Sequence, residues 1–306
     1  DLVWIKNRST SNNHNLVDSV RGVNLTLFSN TTDDEDTSTE RVTSIDADGF
    51  TVGTNNGVNA NDTYVSWLWK AGGAAVTNTA GSITSQVSAS PTAGFSVVTF
   101  TAPASGGFTF AHGLGVQPSM FILKDRTTTG TAWGVWHKSL ANQAQSYLQL
   151  NSTNAVAANA NIWNNTAPTS TVISTQAGQV IIGSANAVCY CFSEVSGYSS
   201  FGSYVANGSA DGSFVYLGFR PAFVLVKSSV DSGRNWSVWD DKRNTSNVVT
   251  NRLLPNTTNA DVVADDLDFL SNGFKIRRTG GDFNISGSTY IYMAFAENPF
   301  KNSLAR

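Results

Sequence analysis

The chain has 306 residues with 22 acidic and 19 basic side chains, a formal net charge of -3, and no basic stripe that could neutralise a phosphate backbone. Nucleic acid is therefore not expected as a partner, and with no apolar stretch near the roughly 20 residues that span a bilayer, neither is membrane insertion. Charged residues make up only 13% of the chain, about half the usual share, while Gly, Ser, Thr and Asn supply a turn-rich polarity and the length suits two or three domains.

In chain order, Asp1-Leu2-Val3-Trp4-Ile5-Lys6 reads as a first strand. The acidic run Asp33-Asp34-Glu35-Asp36 lies between turn-like stretches and reads as a solvated loop, with a calcium site as the sharper alternative. Asp48-Gly49-Phe50 signals a hairpin, because Asp-Gly supplies positive φ angles. Residues 74–94 are rich in Gly, Ala, Ser and Thr, carry no aromatic side chain and read as a linker or long loop. Short apolar or alternating runs then recur at 95–101, 119–124, 132–137, 146–150, 180–183 and 187–192, the pattern of a β-sandwich or jelly roll. The third part repeats this layout, with Asn272-Gly273-Phe274 as its hairpin signal and 262–270 as a candidate turn of helix.

The chain matches itself at an offset of 103 residues. Pro118-Ser119-Met120-Phe121-Ile122-Leu123-Lys124 falls on Pro221-Ala222-Phe223-Val224-Leu225-Val226-Lys227. Trp133-Gly134-Val135-Trp136 falls on Trp236-Ser237-Val238-Trp239, and Cys191-Phe192-Ser193-Glu194 on Ala294-Phe295-Ala296-Glu297. A shorter copy opens the chain, where Asp1 to Lys6 matches the strand after Pro118 and Thr63-Tyr64-Val65-Ser66 matches Thr289-Tyr290-Ile291-Tyr292. Nothing before Asp1 corresponds to the stretches 95–118 and 198–221, so the first copy is expected to be incomplete at its N-terminus and the natural polypeptide to extend upstream. A period this long lets each copy hold its own core. The prediction is an all-β protein of tandem β-sandwich or jelly-roll-like modules: a partial copy at 1–73, a linker or loop at 74–94, a second copy at 95–197 and a third at 198–306.

Candidate chemistry is sparse. Trp133 and Trp136 recur as Trp236 and Trp239, and a residue kept between copies of one fold is set by packing. Trp163 has no counterpart and is the better candidate for a surface contact. Asp240-Asp241 and Asp265-Asp266-Leu267-Asp268 could suggest a carboxylate pair, yet adjacent strand residues point to opposite faces and solvated turns are the simpler reading. Glu194 and Glu297 follow the last strand of their copies and are read as ending it or binding turn amides. His14, His112 and His137 are isolated, and His112 sits in a Gly-flanked turn. Cys189 and Cys191 lie two apart on one strand, which favours core packing over a mutual disulfide. No nucleophile or metal motif is present, so no enzyme activity, cofactor, catalytic residue or metal ligand is predicted, and the ligand-binding residues stay unassigned.

Several strings in order resemble a known repeat domain: Asp1-Leu2-Val3-Trp4-Ile5-Lys6-Asn7-Arg8, His112-Gly113-Leu114-Gly115-Val116-Gln117-Pro118, Trp163-Asn164-Asn165-Thr166-Ala167-Pro168-Thr169-Ser170, Phe201-Gly202-Ser203-Tyr204 and Met293-Ala294-Phe295-Ala296-Glu297-Asn298-Pro299-Phe300. The domain is an uncharacterised one of virion proteins from tailed phages, especially those of aquatic bacteria and cyanobacteria. The resemblance implies a virion structural protein on the phage tail or exterior surface, in a tail fibre or host-contacting appendage that binds a cell-surface glycan or protein without catalysis. A capsid decoration protein and a polysaccharide-degrading tail spike are the alternatives. From that class come the expected partners: two further copies in a homotrimer, and other virion proteins reached through a missing N-terminal region.

Overall fold

The computed structural model describes residues 1–298 and contains strands, turns and loops but no helix among them. The first module holds β1 (Leu2–Asn7), β2 (Asn15–Asp18), β3 (Leu25–Phe28), β4 (Asp36–Thr37), the hairpin β5 (Val42–Ile45) and β6 (Phe50–Val52), and β7 (Tyr64–Trp69). The second runs through β8 (Val76–Asn78), β9 (Ser85–Ser90), β10 (Phe95–Thr101), β11 (Gly107–Ala111), β12 (Met120–Asp125), β13 (Gly134–His137), β14 (Ser146–Gln149), β15 (Ala157–Ala158), β16 (Val172–Gln176) and β17 (Asn186–Phe192). The third comprises β18 (Ser199–Val205), β19 (Phe214–Tyr216), β20 (Pro221–Ser228), β21 (Ser237–Asp240), β22 (Val249–Arg252), β23 (Val262–Leu270), β24 (Gly273–Ile276) and β25 (Thr289–Ala296).

Each module has an inner antiparallel sheet with the same centre. The orders are β4-β3-β2-β1-β7, then β15-β14-β13-β12-β17-β10-β9-β8, then β21-β20-β25-β18. Outer layers complete the sandwiches: β5-β6, β11-β16 and β19-β24-β23-β22. The pairings Leu2↔Trp69, Met120↔Phe192 and Phe223↔Phe295 fix which residues correspond between copies.

Because side chains alternate across a strand, the central strands feed two cores. Leu2 and Trp4, Met120 and Ile122, and Phe223 and Leu225 join one cluster drawn from all three modules. Their neighbours Val3 and Ile5, Phe121 and Leu123, and Val224 and Val226 fill three separate outer cores. Burial on both faces explains why these strands read as unbroken apolar runs.

Trp69, Phe192 and Phe295, at equivalent positions, meet in a triangle with ring centroids 6.0, 5.8 and 6.2 Å apart and edge-on geometry. The modules are thus arranged about a pseudo-threefold axis and share an aromatic centre. Edge-to-face pairs of this kind add roughly 0.5–1.5 kcal/mol each beyond their area.

Four expectations change. Residues 74–94 are not a linker, since β8 and β9 extend the second inner sheet and Val76↔Val87 and Phe95↔Ser90 pair. The small residues there serve close packing: a Cβ on Gly81 would lie 2.4 Å from Thr109 O and one on Gly94 2.3 Å from Ser193 O. Residues 262–270 form the strand β23 rather than a helical turn. The run 180–183 is not a strand, and it is held by the Ala177↔Ile181 bridge and by Ile182 N donating to Asp125, while 172–176, not expected as a strand, forms β16. Both hairpin signals fall on hairpins, but neither Gly49 nor Gly273 has positive φ. Gly273 is needed for space, because a Cβ there would sit 2.0 Å from Val215 O.

Candidate functional site at the module interfaces

The groups capable of chemistry converge on the seams between modules, and the same ties recur around the axis. Trp133 Nε1 of the second module donates to Phe28 O of the first at 2.9 Å. Trp236 Nε1 of the third donates to Gln149 O of the second, also at 2.9 Å. In the first module the equivalent position is His14, whose Nδ1 accepts from Trp4 Nε1 at 3.0 Å and whose ring lies beside the Leu254 backbone of the third. Burial holds the His14 imidazole well below its ordinary pKa, with Lys6 adding to the effect.

Backbone bonds follow the same cycle: Glu35 N to Arg126 O at 2.8 Å, Asp261 N to Arg8 O at 3.0 Å and Val156 N to Ser229 O at 2.9 Å. Two of these seams carry charge. Asp18 accepts from Arg21 and, at 2.8 Å, from Tyr190 OH of the second module, while Glu35 receives both Arg21 and Arg126. Asp240 accepts from Arg243 at 2.7 Å and from Trp67 Nε1 of the first module at 3.1 Å, while Asp261 receives Arg243 and Arg8. Burial alone would lower the Arg21 pKa, but Asp18, Tyr190 and Glu35 outweigh it and hold the guanidinium above its ordinary value.

The third seam is neutral. His137 takes the place of Asp18 and Asp240, Leu140 that of the arginines, and Ser229 and Val156 those of Arg126 and Glu35. Its opposite number is Met293, which cannot donate, so His137 Nε2 bonds the Tyr292 carbonyl at 3.1 Å instead. Burial pushes the His137 pKa down to about 3, so the ring is neutral and donates.

Lys6, Lys124 and Lys227 occupy one repeat position and are all fully buried. Lys6 Nζ donates to Thr258 O at 3.1 Å and Lys227 Nζ to Thr153 O at 3.4 Å, each crossing to a neighbouring module. Lys124 Nζ bonds Thr131 and lies in the field of Asp33 and Asp34. Desolvation brings each of the three down to about 8.

The sequence candidates fall as follows. Trp133, Trp136, Trp236 and Trp239 are core. Trp163 is not a surface residue: it is 1% exposed, edge-on to Phe121 at 4.8 Å, and donates to Ser146 O. In Asp33-Asp34-Glu35-Asp36 the solvated-loop reading holds for the exposed Asp33 and Asp34, whereas Glu35 holds two arginines and Asp36 pairs with Arg41. Asp240, Asp241, Asp266 and Asp268 are buried rather than in solvated turns. Asp266 accepts from Trp239 Nε1 at 3.1 Å, and its pKa is raised by burial against the pull of Arg252.

Glu194 pairs with Lys138 and accepts from Phe201 N at 3.0 Å, and Glu297 pairs with Arg220. Cys189 and Cys191 are free, with Sγ atoms 3.5 Å apart in the second outer core. His112 lies in a turn whose Gly113 and Gly115 have φ of 74°, and burial lowers its pKa to about 4. Among the described residues no group of three or more His, Cys, Asp or Glu could hold a metal. The exposed aromatics among the described residues are instead Phe214 and Tyr216, which share one face of the sheet-edge strand β19.

The geometry defines an all-β scaffold of three sandwich modules tied around a pseudo-threefold axis, in which buried charge and indole groups join modules. The family model that matches, described as a domain of unknown function (DUF7483), covers residues 1–299, and the chain belongs to that family. No curated protein and no solved structure matches it.

Proposed function

We propose that this protein is a non-enzymatic structural component of a tailed-phage virion, carried on a tail fibre or related appendage and presented to a host surface. The observation that carries the reading is the pseudo-threefold head. The carboxylates and arginines of its seams, with His14 and His137, are engaged between modules, where they fix geometry, and Asp240, which borders a hollow, is held there by Arg243 and Trp67. A head with this symmetry suits the end of a threefold appendage. The ordered motifs shared with phage virion repeat domains support the same assignment.

Phe214 and Tyr216, exposed two residues apart on β19, give the surface a pair of aromatic faces of the sort that hold sugars. The test is location and adsorption. Mass spectrometry of separated heads and tails is expected to find the chain with tails, and the isolated protein is expected to slow phage adsorption. Replacing Phe214 and Tyr216 by Ser is expected to remove that inhibition while thermal stability is kept. Recovery from heads alone would instead assign a decoration role, and release of reducing sugar from host polysaccharide would refute the non-enzymatic reading.

A further inference from the structure

The first inner sheet stops at β7, whereas the other two continue past the equivalent strands β17 and β25 into β10 and β18. The free side of β7 is polar backbone. Arg8 N donates to Thr63 O at 2.8 Å, and in the Leu2↔Trp69 register this turns Val65, Trp67 and Trp69 towards β1. The N–H and C=O groups of Tyr64, Ser66 and Leu68 therefore point away from the sheet. Their counterparts Ala187, Cys189 and Cys191 pair with β10, and Tyr290, Tyr292 and Ala294 with β18. Leu68 is left 49% exposed.

A hollow lies on each face of this edge. One, of about 350 Å³, is lined by the rings of Trp67, Trp69, Phe223 and Phe295 with Asp240, Asp241 and Lys242 at its side. In the third module the matching niche is filled by Phe201 of β18, whose ring lies 6.3 Å from both His137 and Phe192, the equivalents of Asp240 and Phe295. In the second module β10 sends Phe95 and Val97 into the shared core. The other hollow, of about 290 Å³, is bounded by Ile5, Phe50, Val58 and Tyr64. Val98 and Phe100 of β10, and Tyr204 of β18, fill the outer cores at that position.

We propose that the free edge of β7 is an acceptor site for one added antiparallel strand, an extended peptide segment with large apolar side chains on both faces, of the kind β10 and β18 supply. Main-chain bonds to Tyr64, Ser66 and Leu68 set its register, and alternate side chains enter the two hollows. An unpaired edge beside two hollows with aromatic and aliphatic walls is otherwise a liability that folded proteins cover.

The test titrates the purified chain with labelled peptides of residues 94–102 and 198–206, read by anisotropy and by hydrogen exchange. Saturable binding is expected, with protection of the Tyr64, Ser66 and Leu68 amides. Val98→Pro in the first peptide removes an N–H that faces the acceptor, and Leu68→Pro in the protein removes one that faces the peptide. Each is expected to weaken binding at least tenfold, and proline is tolerated at Leu68 because that N–H faces solvent. Ser66→Pro serves as the second edge variant should Leu68→Pro unfold. Absence of binding by both peptides, or binding that ignores the proline substitutions, overturns the proposal. Protection of the three amides by self-association without peptide overturns it too, since a second copy would then be the occupant.

Discussion

Asp18→Ala tests whether buried charge holds the modules together. Asp18 and Arg21 have fully buried side chains, and the carboxylate accepts from the Val20 and Arg21 amides, the Arg21 guanidinium and Tyr190 OH. Removing it leaves Arg21 with Glu35 as its one carboxylate partner, beside Leu16 O and Tyr190 OH, and strands two amides and the proton of the phenol. Breaking one partner of a buried pair costs about 3–5 kcal/mol, and urea unfolding with the slope unchanged is the assay. The neutral seam supplies the control. Asp18→His, Arg21→Leu, Glu35→Val, Arg126→Ser and Tyr190→Met together copy the His137, Leu140, Val156, Ser229 and Met293 set. The combined variant is expected to recover most of what Asp18→Ala loses, because an apolar set can replace a buried ion pair at little net cost. A loss under about 1 kcal/mol for Asp18→Ala, or a combined variant no better than the single one, would refute the reasoning.

Phe192→Ala removes one side of the central triangle and should lower stability by about 3–5 kcal/mol, with hydrogen exchange rising in all three modules rather than the second alone. Lys6, Lys124 and Lys227 give stability a basic-pH dependence: their pKa falls to about 8 on folding from 10.5, so between those values the unfolded chain binds more protons and stability rises with pH. Urea midpoints should climb from pH 8 towards pH 10, by at most ~1.4 kcal/mol per pH unit for each lysine. Above that the raised Tyr190 and Tyr204 reverse the slope, and Lys124→Met should flatten the rise by its share. Gly273→Ala, with no positive φ to relieve and a backbone oxygen in the way, should destabilise the β23–β24 hairpin measurably by hydrogen exchange.

Repetition made the β architecture and the Trp133, Trp136, Trp236 and Trp239 core legible, because residues that pack alike recur at one spacing. Trp163 misled for the same reason. The residue 103 positions on is Asp266, which accepts from Trp239 Nε1, whereas Trp163 packs edge-on to Phe121, the ring that stacks on Trp136, so two unlike side chains stand in outer layers built from different strands. The acids of β23 looked like solvent-facing positions because their partners Arg252, Arg278 and Arg277 come from elsewhere in the chain.

The seams were the least visible feature. Lys6, Lys124 and Lys227 stand at one repeat position, a signal available in the sequence, yet a lysine in an apolar run does not announce burial. Arg8 and Asp261, or Glu35 and Arg126, are brought together only by closure of the threefold arrangement. Charges that look evenly spread along the chain are gathered in space.

Calorimetry is the most direct test of the claim that the three copies fold as one body around a common core. At about 0.7 kcal/mol per residue near 60 °C, some 300 residues should unfold with roughly 200 kcal/mol. A single transition whose van't Hoff enthalpy equals that calorimetric value is expected. A van't Hoff enthalpy near one third of it, or separate transitions for the modules, would show independent tandem domains and contradict the account.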